Sequence, residues 1–93
     1  MKLTYTLEAV NDLIRLREFI EDKNPQAAQR IAKELIRGIK QLKSFPLMGV
    51  EVEEAPAPEM IRDLIIGGYI ARYLVHSNEV YILRIWQHKE QRL

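Results

Sequence analysis

Two arginines sit inside the most apolar stretch of this 93-residue chain. The run 69–86, YIARYLVHSNEVYILRIW, carries Arg72 and Arg84 among β-branched and aromatic neighbours. A charged side chain that close to a core is uncommon unless it is paired or used. In use, such guanidinium groups anchor carboxylates of a partner, or stabilise the charge that develops on a phosphorane. A second group of interest follows in Trp86-Gln87-His88-Lys89-Glu90-Gln91-Arg92. A histidine beside Arg84, Lys89 and Arg92 has the composition of a proton-transfer site for RNA cleavage. The same residues read equally well as a basic tail held loosely at a sheet edge.

Other chemistries find less support. His76 lies next to a turn, where a surface role is ordinary. Ser44 and Ser77 stand at a helix end and in a turn, with no Ser-His-acid arrangement. Gly67-Gly68 is a turn rather than a phosphate loop. The four acids of 51–59 lack regular ligand spacing and a neighbouring histidine, so neither a metal nor a cofactor is expected.

The scaffold that must position these residues is bounded by composition. Apolar residues make up 47% of the chain, which predicts folding into one domain, 1–93. The absence of cysteine excludes disulfides and thiolate chemistry and fits a reducing cytoplasm. No signal peptide and no membrane-length apolar run is recognisable, so a cytoplasmic protein without a membrane partner is expected.

Periodicity then orders the elements. Residues 2–6 alternate as a short strand. Thr6 can cap a helix in which Val10, Leu13, Ile14, Leu16, Phe19 and Ile20 form a wide apolar stripe through about residue 22. Asn24-Pro25 restarts a second helix, which buries Ala28, Ile31, Ala32, Leu35, Ile39 and Leu42 and runs to about Ser44. Gly38, in mid-helix, suggests close approach to the first helix. The outer face of the second helix holds Arg30, Lys33, Arg37, Lys40 and Lys43 with Glu34 as its only acid. That face is either solvated or a dock for an acidic partner. Residues 50–60 read as a loop because of Pro56 and Pro58. Ile61–Ile66 forms a strand, and the run 69–86 adds a hairpin turning at Ser77-Asn78. The prediction is an α+β fold of order β-α-α-β-β-β, with a helical hairpin packed on one face of a small, mostly antiparallel sheet.

The hairpin register decides where the arginines point. A two-residue turn, if paired regularly, places Arg72 opposite Leu83. Arg84 and Trp86 then share the other face with Tyr69, Ala71, Tyr73 and Ile82. A three-residue turn brings both arginines to one face. In either register the sheet is apolar on both sides. The side left uncovered by the helices is therefore expected to expose Tyr, Trp, Ile and Val to a protein partner.

In the order and spacing of these parts the chain resembles the ParE/RelE superfamily of bacterial toxin–antitoxin toxins. The motifs are the short first strand, Asn24-Pro25-Gln26-Ala27-Ala28 at the helical link and Phe45-Pro46-Leu47-Met48-Gly49 after it. They continue with Ile61-Arg62-Asp63-Leu64, Tyr69-Ile70-Ala71-Arg72-Tyr73, and Val80-Tyr81-Ile82-Leu83-Arg84-Ile85-Trp86 with its basic tail. The superfamily holds two activities. RelE-like members cut messenger RNA on the ribosome with several strand-borne cations. Here only Arg62 stands on the second strand, Ile70 follows Tyr69 where an arginine is usual, and no tyrosine follows Trp86. ParE-like members share the longer helical hairpin and the Tyr69-x-x-Arg72-Tyr73 pattern. They bind DNA gyrase and stabilise its cleaved-DNA complex without catalysis of their own. Their tail often has a histidine at the position of Gln87, whereas here it is His88.

The resemblance thus implies a growth-inhibiting, plasmid-stabilising toxin nearer to ParE, in a hetero-oligomer with its cognate antitoxin. Arg72, Tyr73, Arg84, Trp86, His88, Lys89 and Arg92 are the implied residues for binding target or antitoxin. One alternative is a ribosome-dependent mRNA endonuclease using His88, Arg84 and Arg62. Another is an inactive toxin that only binds its antitoxin and modulates the shared operon.

Overall fold

Thr6 and Asn24 organise the helical half of the molecule. In the computed structural model, which describes residues 1–57 and 60–88, strand β1 (Lys2–Tyr5) leads into helix α1 (Leu7–Lys23). The Thr6 hydroxyl accepts from the Ala9 N–H at 3.1 Å and starts that helix. Asn24 both ends α1, donating its N–H to the Ile20 carbonyl, and begins α2 (Pro25–Lys40), accepting from the Ala27 N–H. One residue joins the two helices, so they pack as an antiparallel hairpin. A 3₁₀ turn, 41–43, continues α2 close to the expected end near Ser44.

Four further strands follow: β2 (Val50–Glu51), β3 (Ile61–Ile66), β4 (Tyr69–His76) and β5 (Glu79–Gln87). The sheet order is β1-β5-β4-β3-β2, with β1 parallel to β5 and every other pair antiparallel. The α+β order and the helical hairpin over one sheet face agree with the sequence reading. Residues 50–60 differ in part. Val50 and Glu51 pair with Asp63 and Arg62 as a short edge strand, ahead of the proline-containing stretch.

The core lies between the hairpin and the sheet. Leu16, Ile39 and Leu42 meet Leu64, Ala71, Tyr73, Val80, Ile82 and Ile85. Burying an isoleucine of this kind contributes roughly 2–3 kcal/mol. The glycine of α2 has a different neighbour from the one expected. A Cβ at Gly38 would lie 2.9 Å from Ile66 of β3, so the close approach is to the sheet and not to α1.

The first helix turns only part of its apolar stripe inward, Leu13 and Leu16 among it. Ala9, Asp12 and Leu16 are its buried residues, while Val10, Ile14 and Phe19 are 39%, 50% and 54% exposed. The wide stripe is therefore buried on one side only, and its other side is left at the surface.

The hairpin between β4 and β5 resolves the register in a way neither turn length anticipated. Ser77 and Asn78 both have positive φ, 50° and 61°, and form a two-residue turn whose twist suits the strands. His76 opposes Glu79 and Leu74 opposes Tyr81. The register then slips at a bulge: Tyr73 opposes Ile82, but Arg72 opposes Arg84, which leaves Leu83 as the extra residue. Everything beyond the bulge changes face relative to the regular pairing. Ile85 opposes Ala71 and joins the core, and Trp86 opposes Ile70 on the side away from the helices. No helix of the described residues is long and apolar enough to cross a membrane.

Candidate functional site

Tyr73 and Arg62 form a clamp. They are register partners on the helix side of β3 and β4, and both reach the chain that follows α2. The Tyr73 hydroxyl donates to the Pro46 carbonyl at 2.8 Å and accepts from the Gly49 N–H at 2.9 Å. Arg62 donates to the carbonyls of Leu47 and Gly49, at 3.3 and 3.0 Å, and to Glu51 at 3.3 Å. Its Nε is buried without a hydrogen-bond partner among the described residues. Burial pushes the Tyr73 phenol up, which keeps it a donor. The clamped backbone nevertheless presents Phe45, Leu47, Met48 and Val50 at 65%, 60%, 47% and 62% exposure.

Arg72 is held on the helix-free face of the sheet. Its Nε and Nη2 donate to the two carboxylate oxygens of Asp63, directly opposite on β3, at 2.8 and 3.0 Å. Its guanidinium carbon lies 5.1 Å from the centroid of the Trp86 ring, which is itself buried. The bulge makes this stack possible by carrying Trp86 to the face of Arg72. Beside the pair, Val50, Glu51, Val52, Glu53, Glu54, Asp63 and Arg72 line an open depression of about 500 Å³. Farther along this face Glu79 accepts from Thr4 and Tyr81, and both bonds hold its carboxyl below the ordinary value. The helix-free face is therefore less apolar than expected, and Ile65 and, on the edge strand, Val50 are its large hydrophobes above half exposure among the described residues.

Arg84 lies at the edge of β5 that β1 leaves open, since β1 pairs only as far as Ile82. The chain entering α1 dresses this edge. The Thr6 hydroxyl stands 2.9 and 3.1 Å from the carbonyls of Ile82 and Leu83, at the bulge. Asp12 accepts from the Ile85 N–H at 2.9 Å and from Nε and Nη2 of Arg84 at 2.8 and 3.2 Å. Burial alone would raise the Asp12 carboxyl. The bonds from Arg84 and Ile85, with the charges of Arg84 and Arg15, outweigh it and hold the group below the usual aspartate value. Asp12 was not singled out in the sequence. Its place between Ala9 and Leu16, three and four residues away, is the signal that marks it as inward-facing.

His88 is exposed, and its backbone N–H donates to the Gly68 carbonyl at 2.7 Å. Lys89 and Arg92, the tail cations of the sequence reading, lie outside the described residues. Arg62 and Arg84 are not brought together: β4 separates their strands, Arg62 faces the clamped loop, and Arg84 reaches over the far edge. Among the described residues no cluster of His, Asp or Glu has the geometry to hold a metal ion.

The exposed hydrophobic side chains concentrate on the helical hairpin and the clamped loop. Leu7, Val10 and Ile14 of α1 and Ile36 of α2 are 72%, 39%, 50% and 51% exposed. Between the helices, Leu13, Ile14, Arg17, Ala32 and Ile36 line a groove of about 150 Å³.

Comparison with known proteins agrees with this arrangement. A family model described as the ParE toxin of the type II toxin–antitoxin system parDE matches residues 3–92. The curated protein Toxin RelE2 of Caulobacter vibrioides is 31% identical over 84 residues, spanning 90% of this chain and 91% of that protein. Among solved structures, a chain of the chromosomal ParDE toxin–antitoxin system from P. aeruginosa superposes with a TM-score of 0.80. It is 24% identical, over 94% of this chain and 95% of that one. A conserved hypothetical protein of Helicobacter pylori has a TM-score of 0.57 at 17% identity, over 97% of both chains. Both structural matches are likenesses of fold.

Proposed function

The chain belongs to the ParE toxin family of type II toxin–antitoxin systems, and on that footing we propose that it acts in the cytoplasm by binding DNA gyrase, without catalysis of its own. The observation that carries this reading is the commitment of its strand-borne cations. Arg62 holds the loop after α2, Arg84 holds Asp12, and Arg72 holds Asp63. A phosphoryl-transfer site needs preorganised cations converging on one developing charge. Here the three guanidinium groups diverge to three separate carboxylate or carbonyl partners. The surface that remains is suited to binding.

The test pairs two assays on purified toxin. Inhibition of gyrase supercoiling with accumulation of cleaved DNA is expected, together with intact messenger RNA in a translating system. Translation-coupled cleavage that disappears in His88→Ala would overturn the reading in favour of the endonuclease.

The cognate antitoxin has a fitting surface in the apolar groove of the helical hairpin. Ile14→Glu with Ile36→Glu is expected to weaken the complex at least tenfold while the melting temperature stays within a few degrees, because both side chains are half exposed in the free toxin. Titration calorimetry against the antitoxin reads this directly. An unchanged affinity would place the antitoxin elsewhere.

A further inference from the structure

The outward row of cations on α2 makes little visible contribution to the packing of the fold. Arg30, Lys33, Arg37 and Lys40 follow at intervals of three or four residues, and Lys43 extends the row on the 3₁₀ turn. At 1.5 Å per residue the row is roughly 20 Å long. All five side chains are exposed. Arg30 lies 3.7 Å from Glu34, an exposed pair of little strength. Lys33, Arg37, Lys40 and Lys43 have no ion pair among the described residues. The stretch 25–43 holds five cations and one acid, a net +4, in a chain of net +1, so the remaining residues carry −3. The charge is therefore unevenly divided, with the positive excess on α2 and the 3₁₀ turn that continues it.

We propose that this row binds the phosphate backbone of duplex DNA without regard to sequence. The composition of the face favours nucleic acid over an acidic protein. Its other outward residues are Gln26, Gln29, Gln41 and the single acid Glu34, so cations and amide donors, the groups that contact phosphate oxygens, predominate on it. A protein partner would bury an apolar centre, and the exposed apolar residue of α2, Ile36, points instead into the groove shared with α1. A rigid row of unpaired cations matches the regular charge of a duplex. The choice of duplex rests on the gyrase reading, because a gyrase complex holds such DNA at the site where it is cut. The row would hold the toxin against that DNA while other surfaces engage the enzyme.

The test needs no gyrase. Fluorescence anisotropy of a labelled duplex with the purified toxin is measured over a series of salt concentrations. Each neutralised phosphate contributes about −0.9 to the slope of log affinity against log salt, so a slope of about −3 to −4.5 is expected for the native row. In Lys33→Gln/Arg37→Gln/Lys40→Gln the slope should become shallower, to about −2 or closer to zero, and the low-salt affinity should fall at least tenfold. A thermal melt and antitoxin titration of the variant should match those of the native protein. The proposal is overturned if duplex does not bind at low salt or if the slope is the same in the variant. It is also overturned if a folded RNA binds tenfold tighter than the duplex, or if the variant loses antitoxin and keeps DNA. Duplex binding by a toxin that leaves gyrase untouched would support the row's role and count against the gyrase reading alone.

Discussion

Asp12→Ala is expected to destabilise the protein by about 2–4 kcal/mol, one of the two strongest effects we anticipate. The carboxylate is buried and has three hydrogen-bond donors, one of them the Ile85 N–H at the open edge of β5. Removing it leaves that N–H without its acceptor, at about 1–3 kcal/mol, and ends a charge-assisted pair worth a similar amount. Arg84 is 45% exposed at its side chain and regains water, so the loss stays below that of a fully buried ion pair. For a domain of this size the melting temperature should fall by roughly 10–25 °C. Asp12→Asn keeps an acceptor for Ile85 and should lose about half as much. A loss under ~1 kcal/mol for Asp12→Ala would mean that the β5 edge is satisfied without it.

The same carboxylate gives stability a pH dependence. Its folded pKa is depressed, so its contribution is complete above the unfolded aspartate value of about 4. The contribution drains as pH falls below that value and through the lower folded one. Denaturant unfolding between neutral and acid pH should show this decline in the native protein and a flatter profile in Asp12→Ala.

Gly49→Ala is expected to destabilise the protein by about 3 kcal/mol. An added Cβ would lie 2.6 Å from the Tyr73 hydroxyl oxygen, 2.7 Å from its ring and 3.0 Å from the Asp63 carbonyl oxygen. Neither obstacle can withdraw cheaply. Tyr73 is fully buried, and the Asp63 carbonyl belongs to the middle of β3. Overpacking at such a point costs typically 1–3 kcal/mol, to which the lost hydroxyl bonds add. Tyr73→Phe alone should cost about 2 kcal/mol, since it leaves the Gly49 N–H and the Pro46 carbonyl unsatisfied. In the double variant the missing hydroxyl removes the 2.6 Å contact, while those with the ring carbon and the Asp63 carbonyl remain, so the relief is partial. Urea midpoints should therefore show a combined loss smaller than the sum of the two. Strict additivity would mean that Gly49 is not packed against Tyr73 as described.

These two sites show how unevenly the molecule was legible in its sequence. Thr6, Asn24 and Pro25 act locally, and each stands at the helix end it was assigned. The register of the Ser77-Asn78 turn was also local, and it holds for the first four pairs from the turn. Arg62 and Tyr73 drew attention as candidate binding or catalytic residues. Both engage a loop that lies 13–27 residues away in sequence, a relation no periodicity encodes. The exposed apolar surface, expected on the sheet, lies mainly on the helices and the loop after α2, while Trp86 is packed under Arg72 and the sheet face carries internal polar pairs.

What the sequence by itself determined is the order of the elements apart from the short edge strand β2, and with it the family, because caps, turn residues and hydrophobic period act over a few residues. Only the tertiary structure decided the partners of the three arginines, the inward face of α1 and the side of the sheet that Trp86 occupies. Each depends on a contact between residues distant in sequence. The bulge at Leu83 is the clearest case. It carries no local signal such as a glycine, and it is accompanied by Thr6 against the carbonyls of Ile82 and Leu83 and Asp12 against the Ile85 N–H. Its position follows from the packing of α1 along β5, which places Arg72 opposite Arg84 and gives each a separate acid.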